Sequence, residues 1–228
     1  MMLCEIDGIK VNIFRHGQDG AYVYVGASAQ DKGYEQMLDG VLVEMMGNVL
    51  YTLIVFEVDD WNAQLSPWQA RAAFGDEALA GKGVETLVWL TGRSIPALEA
   101  DGVVSRKAPQ YIAGYSLSGL FAIWALMESN VFSGAASCSG SLWMDGWMDY
   151  VKEKKLARDA RVYLSLGSRE ARTKNPILAA VDSCTKETYE CLKSKQRVKK
   201  TVLQWNKGGH FSDTTERLAK GIVWLLNG

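Results

Sequence analysis

Tyr111-Ile112-Ala113-Gly114-Tyr115-Ser116-Leu117-Ser118-Gly119 is the stretch from which the rest of the chain can be read. Tyr111-Ile112-Ala113 has the apolar character of a buried strand. Beyond Gly119, residues Leu120, Phe121, Ile123, Trp124 and Met127 recur with helical spacing. Gly114, Ser118 and Gly119 keep the chain slim on both sides of Ser116, so strand and helix can meet at a tight bend. A serine on such a bend holds its hydroxyl out, and the first N–H groups of the helix face whatever that hydroxyl attacks. This is the pattern of a nucleophile elbow. Its usual form is Gly-x-Ser-x-Gly; here Ser118 stands where the last glycine belongs and Gly119 follows one place later. Serine is nearly as small, so close helix–strand packing survives the exchange.

The remaining elements follow outward from this bend. Residues 3–6 and 9–14, joined by Asp7-Gly8, predict an antiparallel hairpin. Residues 21–25 form a strand ending in Gly26-Ala27-Ser28. Residues 49–58 give the strongest strand signal, because Leu53-Ile54-Val55-Phe56 is continuously apolar, as in a strand buried on both faces. A long connection carries Trp61, Ser66-Pro67-Trp68 and Phe74-Gly75. It leads to a helix over about 83–98, with Val84, Leu87, Val88 and Ile95 on its apolar side and Pro96 marking a kink or an early end. After the elbow come a deeply buried helix (118–128) and a short strand (132–138) leading into Ser139-Gly140-Ser141-Leu142-Trp143. A strand over 161–166 then ends at Gly167-Ser168-Arg169-Glu170. A helix over 177–193, a strand over 202–205, the turn Gly208-Gly209-His210 and a helix over 214–226 complete the chain. Strands alternating with helices predict an α/β fold: a mostly parallel sheet with helices on both faces and antiparallel N-terminal strands. With no internal repeat, low-complexity tract or linker, residues 1–228 are read as one domain. Ligands of such sheets bind beyond the carboxyl ends of the strands.

Composition narrows the function classes. A net charge of −1 leaves no polyanion-binding balance, and the basic residues Lys193, Lys195, Arg197, Lys199 and Lys200 read as a solvated approach to a strand rather than a nucleic-acid patch. No apolar run reaches membrane-spanning length, and Met1-Met2-Leu3-Cys4 runs straight into Glu5 and Asp7 with no export signal. A cytoplasmic protein with reduced thiols is the expectation for Cys4, Cys138, Cys184 and Cys191, which show no CxxC spacing. Cys184 and Cys191 lie about two turns apart on one helical stretch, too far for a disulfide.

A serine hydroxyl needs an adjacent base. The chain has two histidines. His16, in Arg15-His16-Gly17-Gln18, reads as a solvent-facing turn residue. His210 follows the 202–205 strand through a glycine pair, where a base can reach the elbow; its plain alternative is a residue at the start of the last helix. The acid should lie between Ser116 and His210 and follow a strand directly, since this fold orders its triad Ser, acid, His. Glu170 meets both conditions. A surface glutamate paired with Arg169 or Arg172 is its plain reading; Asp182 is the runner-up, and Asp145 and Asp149 follow a different strand. An oxyanion hole takes two backbone N–H groups, one from Leu117 and one from the Gly26-Ala27-Ser28 segment, where Ala27 is the assignment made. Of eight tryptophans, Trp89, Trp124 and Trp224 sit in helical patterns as core residues. Trp61, Trp68, Trp143 and Trp147 fall in loops at strand ends and are candidates for a substrate pocket, with loop anchoring as the alternative for each.

Several stretches together resemble the esterase branch of the α/β-hydrolases, which includes siderophore-lactone esterases, feruloyl esterases and S-formylglutathione hydrolase. They are Ile112 to Phe121, Ser139 to Trp143, Leu166 to Glu170 and Gly208-Gly209-His210-Phe211. Asp59-Asp60-Trp61-Asn62 and Leu65-Ser66-Pro67-Trp68 match more loosely, like a substrate-side loop of the siderophore-esterase relatives. The resemblance implies a compact α/β-hydrolase without a large cap that cleaves esters through an acyl-serine, and it implies no particular substrate. Such acyl transfer needs neither metal nor organic cofactor, and a small-molecule ester, with small acyl groups or an aromatic part, would suit the tryptophan-rich loops. Ser118 in place of glycine, Glu170 where relatives often carry aspartate, and the lack of His-Gly before Ala27 depart from the pattern. A serine peptidase, an acyltransferase and a binding module on a hydrolase scaffold remain open alternatives.

Overall fold

In this computed structural model residues 1–18, 20–71, 73 and 78–227 are described; Phe74-Gly75 of the long connection lies outside them. The N-terminal hairpin is β1 (Met2–Ile6) and β2 (Ile9–His16). They turn through Asp7 and Gly8, both at positive φ, where glycine carries no steric penalty. Then follow β3 (Ala21–Ser28), α1 (Tyr34–Met46), β4 (Tyr51–Val58), α2 (Trp61–Gln64) and the two short strands β5 (Gln69–Ala70) and β6 (Leu79–Ala80). Next come α3 (Gly83–Trp89), a π-helical turn (Leu90–Ser94), α4 (Ile95–Ala100), β7 (Gln110–Tyr115), α5 (Leu117–Glu128) and β8 (Gly134–Cys138). The chain ends with α6 (Trp147–Glu153), β9 (Ala160–Gly167), α7 (Pro176–Ala179), α8 (Val181–Ser194), β10 (Val198–Asn206) and α9 (Thr214–Asn227).

The main sheet has eight strands in the order β1-β2-β4-β3-β7-β8-β9-β10. β1 and β4 both pair antiparallel with β2, and every pairing from β4 through β10 is parallel. The central strands are the most buried. β4 exposes almost nothing but Glu57, and β8 is buried throughout, because apolar layers cover both faces. α1 and α9 pack on one face, through Leu38, Leu42, Met46, Leu218, Ile222 and Leu225. α3 to α6 and α8 cover the other, where α5 buries every residue from Leu117 to Met127. β5 and β6 form a separate two-stranded ribbon within the β4–α3 connection.

The structure differs from the sequence reading at four places. The helix expected over 83–98 continues to Ala100, because a π turn ahead of Pro96 absorbs the proline that would otherwise end it. Its buried stripe is Leu87, Leu90, Ile95 and Leu98, while Val84 and Val88 face solvent. α1 was not anticipated, although Leu38, Leu42 and Met46 repeat every fourth residue along its buried side. His16 is not a turn residue: it ends β2, stacks on Tyr51 at 4.7 Å and meets Asp39 Oδ1 at 2.6 Å. β10 begins four residues before the expected strand, so Lys199 and Lys200 lie on it, at a charged sheet edge that discourages further strand pairing. Among the described residues no helix is long and apolar enough to cross a membrane.

Candidate active site

Ser116 joins β7 to α5 with φ 57° and ψ −122°, a strained backbone that the surroundings must hold. They hold it through its carbonyl, which accepts from the N–H groups of Gly119, Leu120 and Ser141, while its own N–H donates to the Cys138 carbonyl. The bend is so tight that a Cβ on Gly114 would lie 2.2 Å from the Ser118 carbonyl oxygen, so no other residue fits there. A Cβ on Gly140 would strike Ser137 Oγ at 2.2 Å, which lets the Ser139-Gly140-Ser141 turn pack against the elbow.

His210 and Glu170 arrive from the carboxyl ends of β10 and β9. Gly208, at φ 98°, swings the chain back after β10, and its carbonyl accepts from Arg169 N–H, tying the two turns together. His210 Nε2 then lies 3.0 Å from Ser116 Oγ, and its Nδ1 lies 2.9 Å from Glu170 Oε2. Tyr115, next to Ser116, donates its hydroxyl to the His210 carbonyl at 2.5 Å. The imidazole is one-third exposed and the carboxylate only 3%, so the base is open to a ligand while the acid is sealed behind it. An ionised Glu170 accepts a hydrogen bond from Nδ1–H, which fixes the tautomer and leaves the Nε2 lone pair for the serine hydroxyl.

Arg217, on α9, was not anticipated. It is 1% exposed and donates through Nη2 to Glu170 Oε1 at 2.8 Å and to Ser139 Oγ, and through Nη1 to the Gly209 carbonyl at 3.1 Å. Ser139 Oγ and the Gly167 N–H also donate to Oε1, each at 2.6 Å. One oxygen of the carboxylate is thereby anchored by three donors and the other is left for His210. Burial alone would push the Glu170 carboxyl up, but hydrogen bonds from His210, Ser139, Arg217 and Gly167 outweigh it and hold the pKa at about 2. The sequence did carry a signal for Arg217: it sits beside Leu218 on the stripe of α9 that faces the sheet, where an unpaired charge could not stay. Replacing it with methionine removes the cation from a sealed carboxylate. Urea unfolding of Arg217→Met should show a loss of about 3 kcal/mol; a loss under about 1 kcal/mol would mean that the remaining donors suffice.

The expected oxyanion donors divide. Leu117 opens α5 directly after Ser116, with its N–H at the helix start. The Ala27 N–H points away from the elbow. Ala29 N–H donates to Val58, and β3 pairs with β4 through Ala27 and Ser28, so by strand alternation the Ala27 N–H also faces β4. Residues of the other parity face β7, as the Tyr22 N–H donating to Pro109 shows. Ser28 has that parity and borders the same hollow as Ser116, which makes its N–H the second candidate.

Two hollows meet at Ser116 and His210, and Trp61 and Phe211 line both. One, of about 320 Å³, extends past Trp143, Leu79, Leu178 and Val181; the other, of about 410 Å³, extends past Ser28, Asp31 and Tyr34. Trp61 and Trp143 are therefore pocket walls. Trp68 and Trp147 are not. The Trp68 indole donates to the Asp145 carbonyl at 2.8 Å and anchors that loop. Trp147 is fully buried at the start of α6 and donates to Thr188 Oγ1 at 2.9 Å. Phe211 is 88% exposed and stands edge-on to the His210 ring at 5.0 Å.

A doubly covered, largely parallel sheet with a serine elbow after β7, an acid after β9 and a histidine after β10 defines an α/β-hydrolase. The model of the family described as "Putative esterase" matches residues 24–212, and the chain belongs to that family of ester hydrolases. It is 32% identical over 182 residues to the uncharacterized protein YbbA of Bacillus subtilis (strain 168), covering 76% of this chain and 72% of that one. Among solved structures it is similar to the siderophore hydrolase EstA from Aspergillus nidulans, at TM-score 0.77 and 17% identity over 96% of this chain and 90% of that one. It is also similar to an IroE-like serine hydrolase from Shewanella oneidensis, at TM-score 0.78 and 13% identity over 96% of this chain and 76% of that one. At these identities the two structures speak for the fold.

Proposed function

We propose that the chain is a serine carboxylic-ester hydrolase that acts through an acyl-serine on a small or aromatic-bearing ester. The observation that carries the reading is the relay from Glu170 Oε2 to His210 Nδ1 at 2.9 Å and from His210 Nε2 to Ser116 Oγ at 3.0 Å. Ser116 Oγ attacks the ester carbonyl while His210 takes its proton. The carbonyl oxygen, now negative, is held by the N–H groups of Leu117 and Ser28. His210 gives the proton to the departing alkoxide, which leaves as the alcohol. A water then attacks the acyl-serine with His210 as base, releasing the acid and restoring Ser116. Glu170 keeps the imidazole oriented and stabilises it when charged. The four free thiols suit a reducing compartment, in keeping with a cytoplasmic enzyme.

The walls supplied by Trp61, Trp143 and Phe211 favour an ester with one apolar or aromatic half. Phe211 spends most of its surface in solvent, so a substrate group laid against it gains burial that the free protein lacks. Phe211→Ala should raise KM for aromatic or long-chain p-nitrophenyl esters by roughly fivefold, leaving acetate turnover and thermal stability unchanged. An equal effect on acetate would remove the aromatic wall from the account. The reaction class is tested by p-nitrophenyl acetate and butyrate beside an aminoacyl p-nitroanilide, with products followed in added alcohol. Hydrolysis of the esters alone is expected; preferential anilide cleavage makes the chain a peptidase, and ester exchange with little acid makes it an acyltransferase.

A further inference from the structure

The serine that replaces the usual elbow glycine has a partner across the site. Ser118 is 2% exposed and donates its Oγ hydrogen to the Gly26 carbonyl at 3.0 Å. The pairing of β3 with β7 runs out at Val25 opposite Ala113, where β7 bends away into the elbow, so the Gly26 carbonyl lies beyond the end of that ladder. Ser118 supplies the acceptor's partner. The hydroxyl sits where only a glycine at 114 leaves room, since a Cβ there would approach Ser118 Oγ to 2.5 Å. Ser118 follows Leu117, the oxyanion donor at the start of α5, and Gly26 lies two residues before Ser28, the donor at the end of β3. A single hydrogen bond thus joins the two segments from which the two donors project.

We infer that Ser118 is a positioning residue that sets the spacing of the oxyanion hole. The inference rests on the serine-hydrolase reading above and adds to it a role for the chain's own departure from the motif. With glycine or alanine at 118, the Gly26 carbonyl loses its side-chain donor and the end of β3 is free to drift from α5. Ser116, His210 and Glu170 keep their own contacts, none of which includes Ser118. The change therefore falls on charge stabilisation at the carbonyl oxygen and not on proton transfer. Donors must lie near hydrogen-bond distance of the developing oxyanion to act, and small displacements are costly.

The test compares p-nitrophenyl acetate with O-p-nitrophenyl thionoacetate, whose larger sulfur accepts hydrogen bonds poorly and draws little from such a hole. Ser118→Ala should lower kcat for the oxygen ester about tenfold with KM unchanged, against the ~10²- to 10³-fold cost of deleting a donor outright. Turnover of the thiono ester should stay within about twofold of wild type, so the oxygen-to-sulfur rate ratio contracts. Ser118→Gly, which adds no atoms and restores the common motif, should contract it likewise and serves if the alanine variant folds poorly. An unchanged ratio in an active, folded variant, whether both rates hold or both fall together, overturns the role of Ser118 alone. A folded wild type that turns over neither ester overturns the hydrolase reading and this role with it.

Discussion

Ser116→Ala should lower kcat for p-nitrophenyl butyrate by roughly 10⁵- to 10⁶-fold, with little change in the concentration of ester needed for half-saturation. The side chain makes no structural contact that alanine would lose: its hydroxyl meets His210 Nε2 at 3.0 Å and opens onto both hollows. The elbow is held through the backbone of Ser116, by four hydrogen bonds that alanine retains. The variant should therefore fold with unchanged thermal stability and still bind ester. A residual rate above water is expected, because Leu117 and Ser28 remain to polarise a carbonyl. A loss smaller than about 100-fold would mean that another group attacks the ester.

Glu170→Gln should lower kcat by about 10³- to 10⁴-fold. An amide at this position still fits, but its NH₂ faces either Arg217 or His210, and in the latter case it favours the wrong tautomer. Asp182→Asn is the contrasting variant. Asp182 lies on α8, paired with Lys186 at 2.7 Å on the helix surface, and its loss should leave kcat within about twofold. The reverse ranking would move the acid to Asp182. The same carboxylate has a second signature, in stability. Its folded pKa of about 2 lies below its ordinary value of 4.5, so its contribution is fully present above 4.5 and is lost as pH falls toward 2. Between pH 5 and 3 the urea midpoint of wild type should fall further than that of Glu170→Gln, and parallel curves would contradict the assignment of the low pKa.

The three central positions are legible because each is punctuated by glycines at a strand end. Gly114 and Gly119 bracket Ser116, Gly167 precedes Glu170, and Gly208-Gly209 precedes His210. Tight turns need glycine, and this sheet puts tight turns where ligands bind. Chain order then separates Glu170 from Asp182. What could not be read depended on which way a residue faces. Ala27 and Ser28 are neighbours of equal plausibility until the register with β4 and β7 assigns their N–H groups to opposite sides. Four loop tryptophans look alike in sequence, yet only Trp61 and Trp143 line the hollow, while Trp147 is drawn into the core by Thr188. Arg217 shows in the sequence only as a charge on a buried stripe and Ser139 only as part of a family-like turn; both act through Glu170, and nothing in their spacing from it marks a contact across three elements. In the fold, the π turn before Pro96 shifted a helical stripe that a regular 3.6-residue period would have placed on Val84 and Val88.

The central claim is that Ser116 is a live nucleophile activated by His210. Covalent labelling with a fluorophosphonate, followed by intact-protein mass measurement and peptide mapping, tests it most directly. One adduct per chain on the peptide bearing Ser116 is expected in the wild type, none in Ser116→Ala, and markedly slower labelling in His210→Ala. Folded wild-type protein that takes up no label, or takes it up equally well after Ser116→Ala, would contradict the account.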